Sequence, residues 1–296
     1  MGVKSSYVVM PRMNFEMELT HCPICEGSES LNLHQEGSFQ MVRCLSCHFI
    51  YSNPRPTQES LLRFYQAYLP EDGLSIQAWE KMMRSIFHRA ANRIQKYKTE
   101  GRLLDVGAGF GFFLKEMRDR GWEGMGVEIS QKAIDYARDT LGLTIHPGPL
   151  EKVGFPENSF DVVSGFYVVE HLSCPMTFLK ECYRILKPRG LLLLRYPHTT
   201  PIKNLLHLLG IENRLYDLPA HLSDFSPGMI QWCLEQVGFE RCKHLIGGYT
   251  HPTGFGKRLA TSFFGNLSEA IFSLSGKKFL FPGVSKTVLA FKGHLE

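Results

Sequence analysis

Residues 102–120 read RLLDVGAGFGFFLKEMRDR. Leu103, Leu104 and Val106 form a short apolar run around Asp105, glycines follow at 107, 109 and 111, and a helix-like stretch comes next. A buried strand, a tight glycine turn and a helix N-terminus account for that order. Glycine is needed where the backbone takes a positive φ or approaches a ligand closely, and a helix start offers unbonded N–H groups to a carboxylate or phosphate. A dinucleotide fingerprint is G-x-G-x-x-G. Here the spacing is G-x-G-x-G, with Phe112 in place of the last glycine, which weighs against a pyrophosphate ligand.

A second strand, GMGVEIS, ends in Glu128. An acid at that strand end can accept hydrogen bonds from both hydroxyls of a ribose. With D-x-G-x-G-x-G and this acidic strand end, the chain resembles the class I S-adenosylmethionine-dependent methyltransferases of the type 11/23 kind. FDVV, EH, L-K-P-x-G and the apolar strand LLLLRYP recur in that family's order, so the resemblance covers roughly Leu103 to Phe291. It implies an α/β fold, a Rossmann-like doubly wound seven-stranded sheet whose last strand, SKTVLAFK, is antiparallel. It implies S-adenosylmethionine as cofactor, held at Asp105, Gly107, Ala108, Gly109, Gly111, Glu128, Ile129, Leu150 and Phe166, with the turn on its methionine part and Glu128 on its ribose. The family often reads adenine with an Asp after the third strand. Pro149 stands there in this chain, so that contact passes to backbone groups near Leu150 or to Glu151.

The segment ahead of this unit carries Cys22-x2-Cys25 and Cys44-x2-Cys47, with residues 26–43 between. Each C-x2-C turn places two sulfurs on one edge of a tetrahedron, which predicts a closed four-thiolate structural zinc ribbon. The rival reading, two disulfides, is disfavoured in a reducing cytoplasm. The resulting organisation is a ribbon module at 1–54, a helical linker or cap at 55–100, and a catalytic domain at 101–296 with insertions near 198–225 and 247–284. Cys174, Cys182, Cys233 and Cys242 lie in periodic segments and read as small core residues.

A chain of 296 residues, 44% hydrophobic and 21% charged, suits one α/β domain plus a small module and excludes disorder. Its net charge of +4 neither demands nor excludes nucleic acid. No run approaches the roughly eighteen apolar residues of a membrane span, and no signal-peptide core is evident, so a cytoplasmic location is expected. Residues 257–278 read as an amphipathic helix with basic ends. Such a helix can contact a membrane surface peripherally, although packing on its own domain is the favoured reading.

Ligands of open sheets lie beyond the carboxyl ends of the strands, which places Gly165, Phe166, Tyr167, Glu170 and His171 where cofactor and acceptor meet. Apolar steps of three and four from Ser75 to Lys98 predict a helix that, in the resembling family, caps the pocket. Trp79, Arg84 and Tyr65 are its candidates to reach inside, with core packing and a solvated face favoured for the first two. Ser130 and Ser173 are expected to cap the helices that follow them. Methyl transfer from a sulfonium to a hydroxyl or carbon acid needs a positioned base, and histidine suits that role. His171 and His221 are the candidates, with His198 third. Relatives with E-x-x-E-H are proposed to hold a divalent metal, but here Tyr167 replaces the first carboxylate, so no catalytic metal is expected. The expected acceptor is a small molecule such as a sugar, a nucleotide-sugar or another biosynthetic metabolite. The alternatives are an RNA or protein methyltransferase gripping its substrate with the ribbon, or a non-catalytic cofactor-binding scaffold. Arg43 alone is basic between Cys22 and Cys47, which speaks against nucleic acid.

Overall fold

The structure, a computed structural model, describes residues 14–67, 69–70, 72–248, 255–276, 280–281 and 285–293. At the N-terminal end β1 (Met17–Glu18) pairs with β5 (Arg55–Pro56), while β2 (Ser30–Glu36), β3 (Phe39–Cys44) and β4 (Ile50–Ser52) form an antiparallel meander. Helices α1 (Gln58–Gln66) and α2 (Gly73–Gln95) follow. Each has a side-chain cap: Thr57 accepts from the Ser60 N–H and Asp72 from the Ser75 N–H.

From β6 (Arg102–Val106) the chain alternates: α3 (Phe112–Arg118), β7 (Glu123–Glu128), α4 (Gln131–Leu141), β8 (Thr144–Pro147), α5 (Leu150–Val153) and β9 (Phe160–Phe166). A single 3-10 turn at Val169–His171 leads to α6 (Pro175–Ile185), β10 (Leu186–Tyr196) and α7 (Thr200–Leu208). Then come β11 (Ser223–Asp224), α8 (Pro227–Val237), β12 (Phe239–Leu245), α9 (Phe255–Leu274) and β13 (Lys286–Lys292). The main sheet has seven strands in the order β12-β13-β10-β9-β6-β7-β8, with β13 antiparallel to both its neighbours. This is the doubly wound α/β sheet that the alternation of strands and helices predicts. Its central strands are buried on both faces: Leu191, Leu192, Leu193 and Leu194 of β10 are all inaccessible. Burying one such leucine stabilises the fold by roughly 1.5–3 kcal/mol.

Several local expectations yield to packing. Ser130 stands at the N-cap of α4, yet its hydroxyl makes no cap bond. Cys174, not Ser173, precedes α6, and it is exposed rather than part of the core. KPRG does not end the strand context: β10 runs through it with a register shift between Leu186 and Leu191. In α9 the buried positions are Gly265, Ser268 and Phe272, while Phe263 and Leu274 are 64% and 87% exposed. The side chains of Lys257 and Arg258, and all of Lys277 and Lys278, lie outside the described residues. No helix among the described residues is long and apolar enough to cross a membrane.

The N-terminal meander is not a separate layer. β11 adds to its edge, Ser223 opposite Tyr51 and Asp224 opposite Ile50, making a four-stranded sheet. The cysteine-bearing meander and the insertion after β10 thus share one hydrogen-bonded structure.

Candidate active site

β6 and β9 are neighbours, but the chain leaves β6 toward β7 and β8 on one side and β9 toward β10 on the other. This is the switch point at which open α/β sheets bind ligands. A cavity of about 1200 Å3 opens there.

One end of the cavity is the turn after β6. Gly107 takes φ +66°, and a Cβ there would stand 2.5 Å from Val168 Cγ2, so only glycine lets the chain pass. Gly111, at φ +80°, starts α3 as its N-cap, and a Cβ there would meet Leu143 Cδ1 at 2.5 Å. Gly111 is absent from the cavity wall. Its smallness serves the packing of α3 against α4. Asp105, Gly107, Ala108, Gly109, Glu128, Ile129, Leu150 and Phe166 do line the cavity, as do Pro149 and Glu151.

Glu128 is buried, and its carboxylate accepts the N–H groups of Gly109, Ile129 and Ser130 at 2.8, 2.8 and 2.9 Å. Those three bonds use three of the roughly four lone-pair positions of a carboxylate and leave one on Oε2. The Glu128 side chain thereby holds the glycine turn and its own strand end in register. Asp105 accepts a hydrogen bond from Ser164 Oγ at 2.7 Å. Burial pushes Asp105 up to about 8, the Ser164 bond offsetting this in part and the Glu128 charge adding to it. A buried carboxyl poised in this way ionises when a cation arrives beside it. Two carboxyls around a glycine turn fit a cofactor that carries a ribose and positive charge.

His171 and His221 line the same cavity, ring centroids 4.9 Å apart. His171 Nδ1 lies 2.7 Å from the Ala220 carbonyl, and a carbonyl can only accept, so Nδ1 carries the proton and Nε2 is the basic nitrogen. Tyr65 Oη donates to the same carbonyl at 2.7 Å. Burial pulls His171 down to about 3 and His221 to about 4, so both imidazoles are neutral at pH 7. Asp217 Oδ2 stands 3.9 Å from His221 Nε2, near enough to favour an imidazolium there. His198 is not in the wall, and neither is Arg84, which pairs with Glu80 on the exposed face of α2. Tyr65 and Trp79 both reach the cavity.

Glu170 brings a third metal-ligand type to the histidines: its carboxylate and the two imidazoles have ligand atoms within 4.8 Å of one another. The spacing after β9 hides this cluster, because His221 arrives from another loop. Both carboxyl oxygens of Glu170 are buried without a hydrogen-bond partner, and burial pushes the group up to about 8. It is therefore neutral at pH 7, the form in which such burial is tolerated.

Arg195 is a wall residue that the sequence reading passed over. Its Nε donates to Tyr167 Oη at 2.8 Å, Nη1 to the Ile246 carbonyl at 2.9 Å, and Nη2 to the Gly248 carbonyl at 2.9 Å. Since Tyr167 Oη accepts from Arg195, its own hydrogen is available to the cavity. An arginine inside the leucine run of β10 is the one sequence signal that could have revealed this pair.

The four sulfurs of Cys22, Cys25, Cys44 and Cys47 lie within 4.8 Å of one another, with Cys22–Cys47 and Cys25–Cys44 both at 3.5 Å. All four are free thiols. A Zn–S length of about 2.3 Å implies edges of about 3.8 Å in a tetrahedron, so the donor set fits a four-thiolate ion.

Sheet order, glycine turn and acidic strand end together define the architecture of a class I methyltransferase. A family profile described as "Methyltransferase domain" matches residues 104–194. The chain is an S-adenosylmethionine-dependent methyltransferase. It is 26% identical over 166 residues to a ubiquinone biosynthesis O-methyltransferase of Actinobacillus pleuropneumoniae, covering 51% of this chain and 70% of that one. With the enzyme of the same name from Cereibacter sphaeroides it shares 32% over 130 residues, 42% of this chain and 53% of that one. A methyltransferase structure from Archaeoglobus fulgidus has the same fold, with TM-score 0.51 at 20% identity, over 75% of this chain and all of that one. The profile match begins beyond the cysteine hairpins.

Proposed function

We propose that this enzyme methylates a small-molecule acceptor at an atom that must lose a proton, and that His171 and His221 receive that proton. The neutral histidine pair in the wall of the cavity that Asp105, Gly109 and Glu128 also line carries the reading. S-adenosylmethionine, when bound, supplies an electrophilic methyl group. Asp105, Gly107, Gly109 and Glu128 would hold it, with Ile129, Leu150 and Phe166 along its sides. Tyr167, its hydroxyl fixed by Arg195, donates a hydrogen bond to the acceptor and sets its approach. One of the imidazoles accepts the acceptor's proton, and Asp217 favours the imidazolium that results.

The two relatives named as O-methyltransferases of ubiquinone biosynthesis support a small acceptor with a hydroxyl. A nucleotide-sugar is less well served. Among the described wall residues Arg195 is the one lysine or arginine, and its guanidinium is committed to Tyr167 and to backbone carbonyls. We also infer that Cys22, Cys25, Cys44 and Cys47 hold a structural zinc ion, whose closed thiolate shell leaves no position for catalysis.

The test is incubation of purified protein with methyl-labelled S-adenosylmethionine and a cell extract, followed by separation of label into RNA, protein, lipid and small soluble fractions. Label in a lipid or small-molecule fraction is the expected result. Label in RNA or protein overturns the reading and turns attention to the ribbon as a substrate grip.

A further inference from the structure

Thr200, in the first turn of α7, joins the two arms of the loop that delivers His221. The Asp224 carboxylate accepts the N–H groups of Thr199 and Thr200 at 2.7 and 2.8 Å, and also the hydroxyl of Thr200. A carboxylate only accepts, so the Thr200 hydroxyl gives its hydrogen to Asp224. In its 3.0 Å contact with Tyr216 Oη, Tyr216 is therefore the donor. The bonds run in one direction, from Tyr216 to Thr200 to Asp224. Tyr216 stands five residues before His221 and Asp224 three after it.

The backbone of that loop is committed elsewhere. The Asp217 carbonyl accepts the N–H groups of Ala220 and His221 at 2.9 and 3.2 Å, Leu222 N–H donates to the Glu170 carbonyl, and Ser223 and Asp224 pair with β4. Side chains make the connection to α7. None of that helix's residues is buried, and Thr199 at its N-cap makes no side-chain cap bond. Two of the N–H groups that a helix start leaves unbonded are satisfied instead by a carboxylate from the far side of the insertion. Tyr216 and Asp224 are both buried, and a buried network whose donors and acceptors match holds a single arrangement. α7 in turn lines the cavity with Pro201, Ile202, Leu205 and Leu206, the same cavity that His171 and His221 line.

We propose that Thr200 and Asp224 are positioning residues of the reaction, and that the bond between them sets α7 in register with the imidazole of His221. The proposal rests on the reading of His221 as a proton acceptor and names what holds it in place. Neither residue lines the cavity, so each acts through its neighbours. A displacement of about 1 Å can cost about 10²-fold in rate. Cutting the bond should therefore slow the transfer step. The cofactor end is held separately, Asp105 by Ser164 and Glu128 by the N–H groups of Gly109, Ile129 and Ser130, and should bind as before.

The test uses the full chain, methyl-labelled S-adenosylmethionine and whichever fraction of a cell extract takes up the label. Serial dilution of that fraction separates the maximal rate from the amount of acceptor that half-saturates it, and calorimetry gives the S-adenosylhomocysteine Kd. Thr200→Val keeps the side chain's shape without its hydroxyl, and Asp224→Asn removes one acceptor oxygen. Each is expected to lower the maximal rate about tenfold or more and to leave the S-adenosylhomocysteine Kd within about twofold. Thr200→Ser, which retains the hydroxyl, should keep the rate of the parent. Thr200→Val combined with His221→Ala should be no slower than His221→Ala alone, because no imidazole is left to position. A parental rate in Thr200→Val, a Thr200→Ser variant as slow as Thr200→Val, or losses that multiply with that of His221→Ala each overturn the proposal. If Asp224→Asn does not fold, Thr200→Val decides, since it leaves the carboxylate both backbone donors. The two readings fail separately. Full turnover in His221→Ala removes the proton acceptor, whereas full turnover in Thr200→Val beside a slow His221→Ala removes the positioning bond alone.

Discussion

His171 and His221 meet edge to face, ring centroids 4.9 Å apart, and the carbonyl of Ala220 fixes the tautomer of the first while belonging to the residue before the second. The pair is thus a single unit held by one peptide. General-base catalysis contributes about 10²–10⁴-fold to a rate. His171→Ala and His221→Ala are expected to lower kcat within that range and to leave the S-adenosylhomocysteine Kd within about twofold. Steady-state kinetics paired with calorimetry checks this, and unchanged turnover in both variants would end the assignment.

Asp105 makes cofactor binding depend on pH. Its carboxyl, pushed up to about 8 by burial, is neutral below that pH and ionised above it. A positively charged cofactor favours the ionised form. Affinity is therefore expected to tighten by up to about tenfold per unit as pH rises toward 8, and then to level. Ser164→Ala removes the hydrogen bond that lowers the group and moves the levelling point upward. Calorimetry in buffers of different ionisation enthalpy should show a proton released on binding.

Stability should also carry the mark of these groups. His171 and His221, lowered to about 3 and about 4, take up fewer protons than the roughly 6.5 of an unfolded histidine allows. Their contribution is present above about pH 6.5 and is lost as pH falls toward 4. Glu170, raised to about 8, acts in the opposite sense: its contribution is full below about pH 4.5 and is lost as pH rises through 8. Glu170→Gln is expected to flatten the decline of Tm between about pH 6.5 and 8, where the histidine contribution is already level, whereas a decline as steep as that of the parent would remove Glu170 as its cause.

The cysteine site reaches the histidines through hydrogen bonds. Ser52 N–H donates to the Leu222 carbonyl at 2.8 Å, and Leu222 N–H to the Glu170 carbonyl at 2.7 Å. Removing the proposed zinc ion with a chelator, or introducing Cys44→Ser, is expected to speed amide exchange at Leu222, Ser223 and Asp224. Turnover should fall about tenfold or more, with cofactor affinity less affected. Exchange that stays unchanged at those amides would separate the two sites.

Much of this arrangement is legible in the chain because it is local. The run around Asp105, the glycines after it and the acid ending the next strand obey strand and turn rules over a few residues. What escapes is contact between distant segments. No spacing rule joins Tyr51 to Ser223, or delivers His221 to Glu170, since the two loops meet only after the sheet has formed. Periodicity assigns α9 a leucine and phenylalanine face, but among its described side chains Phe263 and Leu274 are exposed, and Gly265, Ser268 and Phe272 are buried. Gly111 obeys the cofactor motif and yet serves helix packing, because a missing Cβ is useful for either purpose. Tyr167 is legible as a residue just beyond β9 and Arg195 as an oddity among leucines, while the bond between them is not.

The strand β11 has a consequence for anyone dissecting the enzyme. It is stitched to β4 although its chain belongs to the insertion after β10. A fragment begun at Gly73 would retain every strand of the main sheet, the cofactor turn and α2, whose Ile86, Ala91 and Ile94 are buried in the core, and so would pass as a folded, ligand-binding protein. Its reaction loop would have lost the edge on which it is hung. Such a fragment should bind and not turn over, an outcome easily mistaken for a natural scaffold.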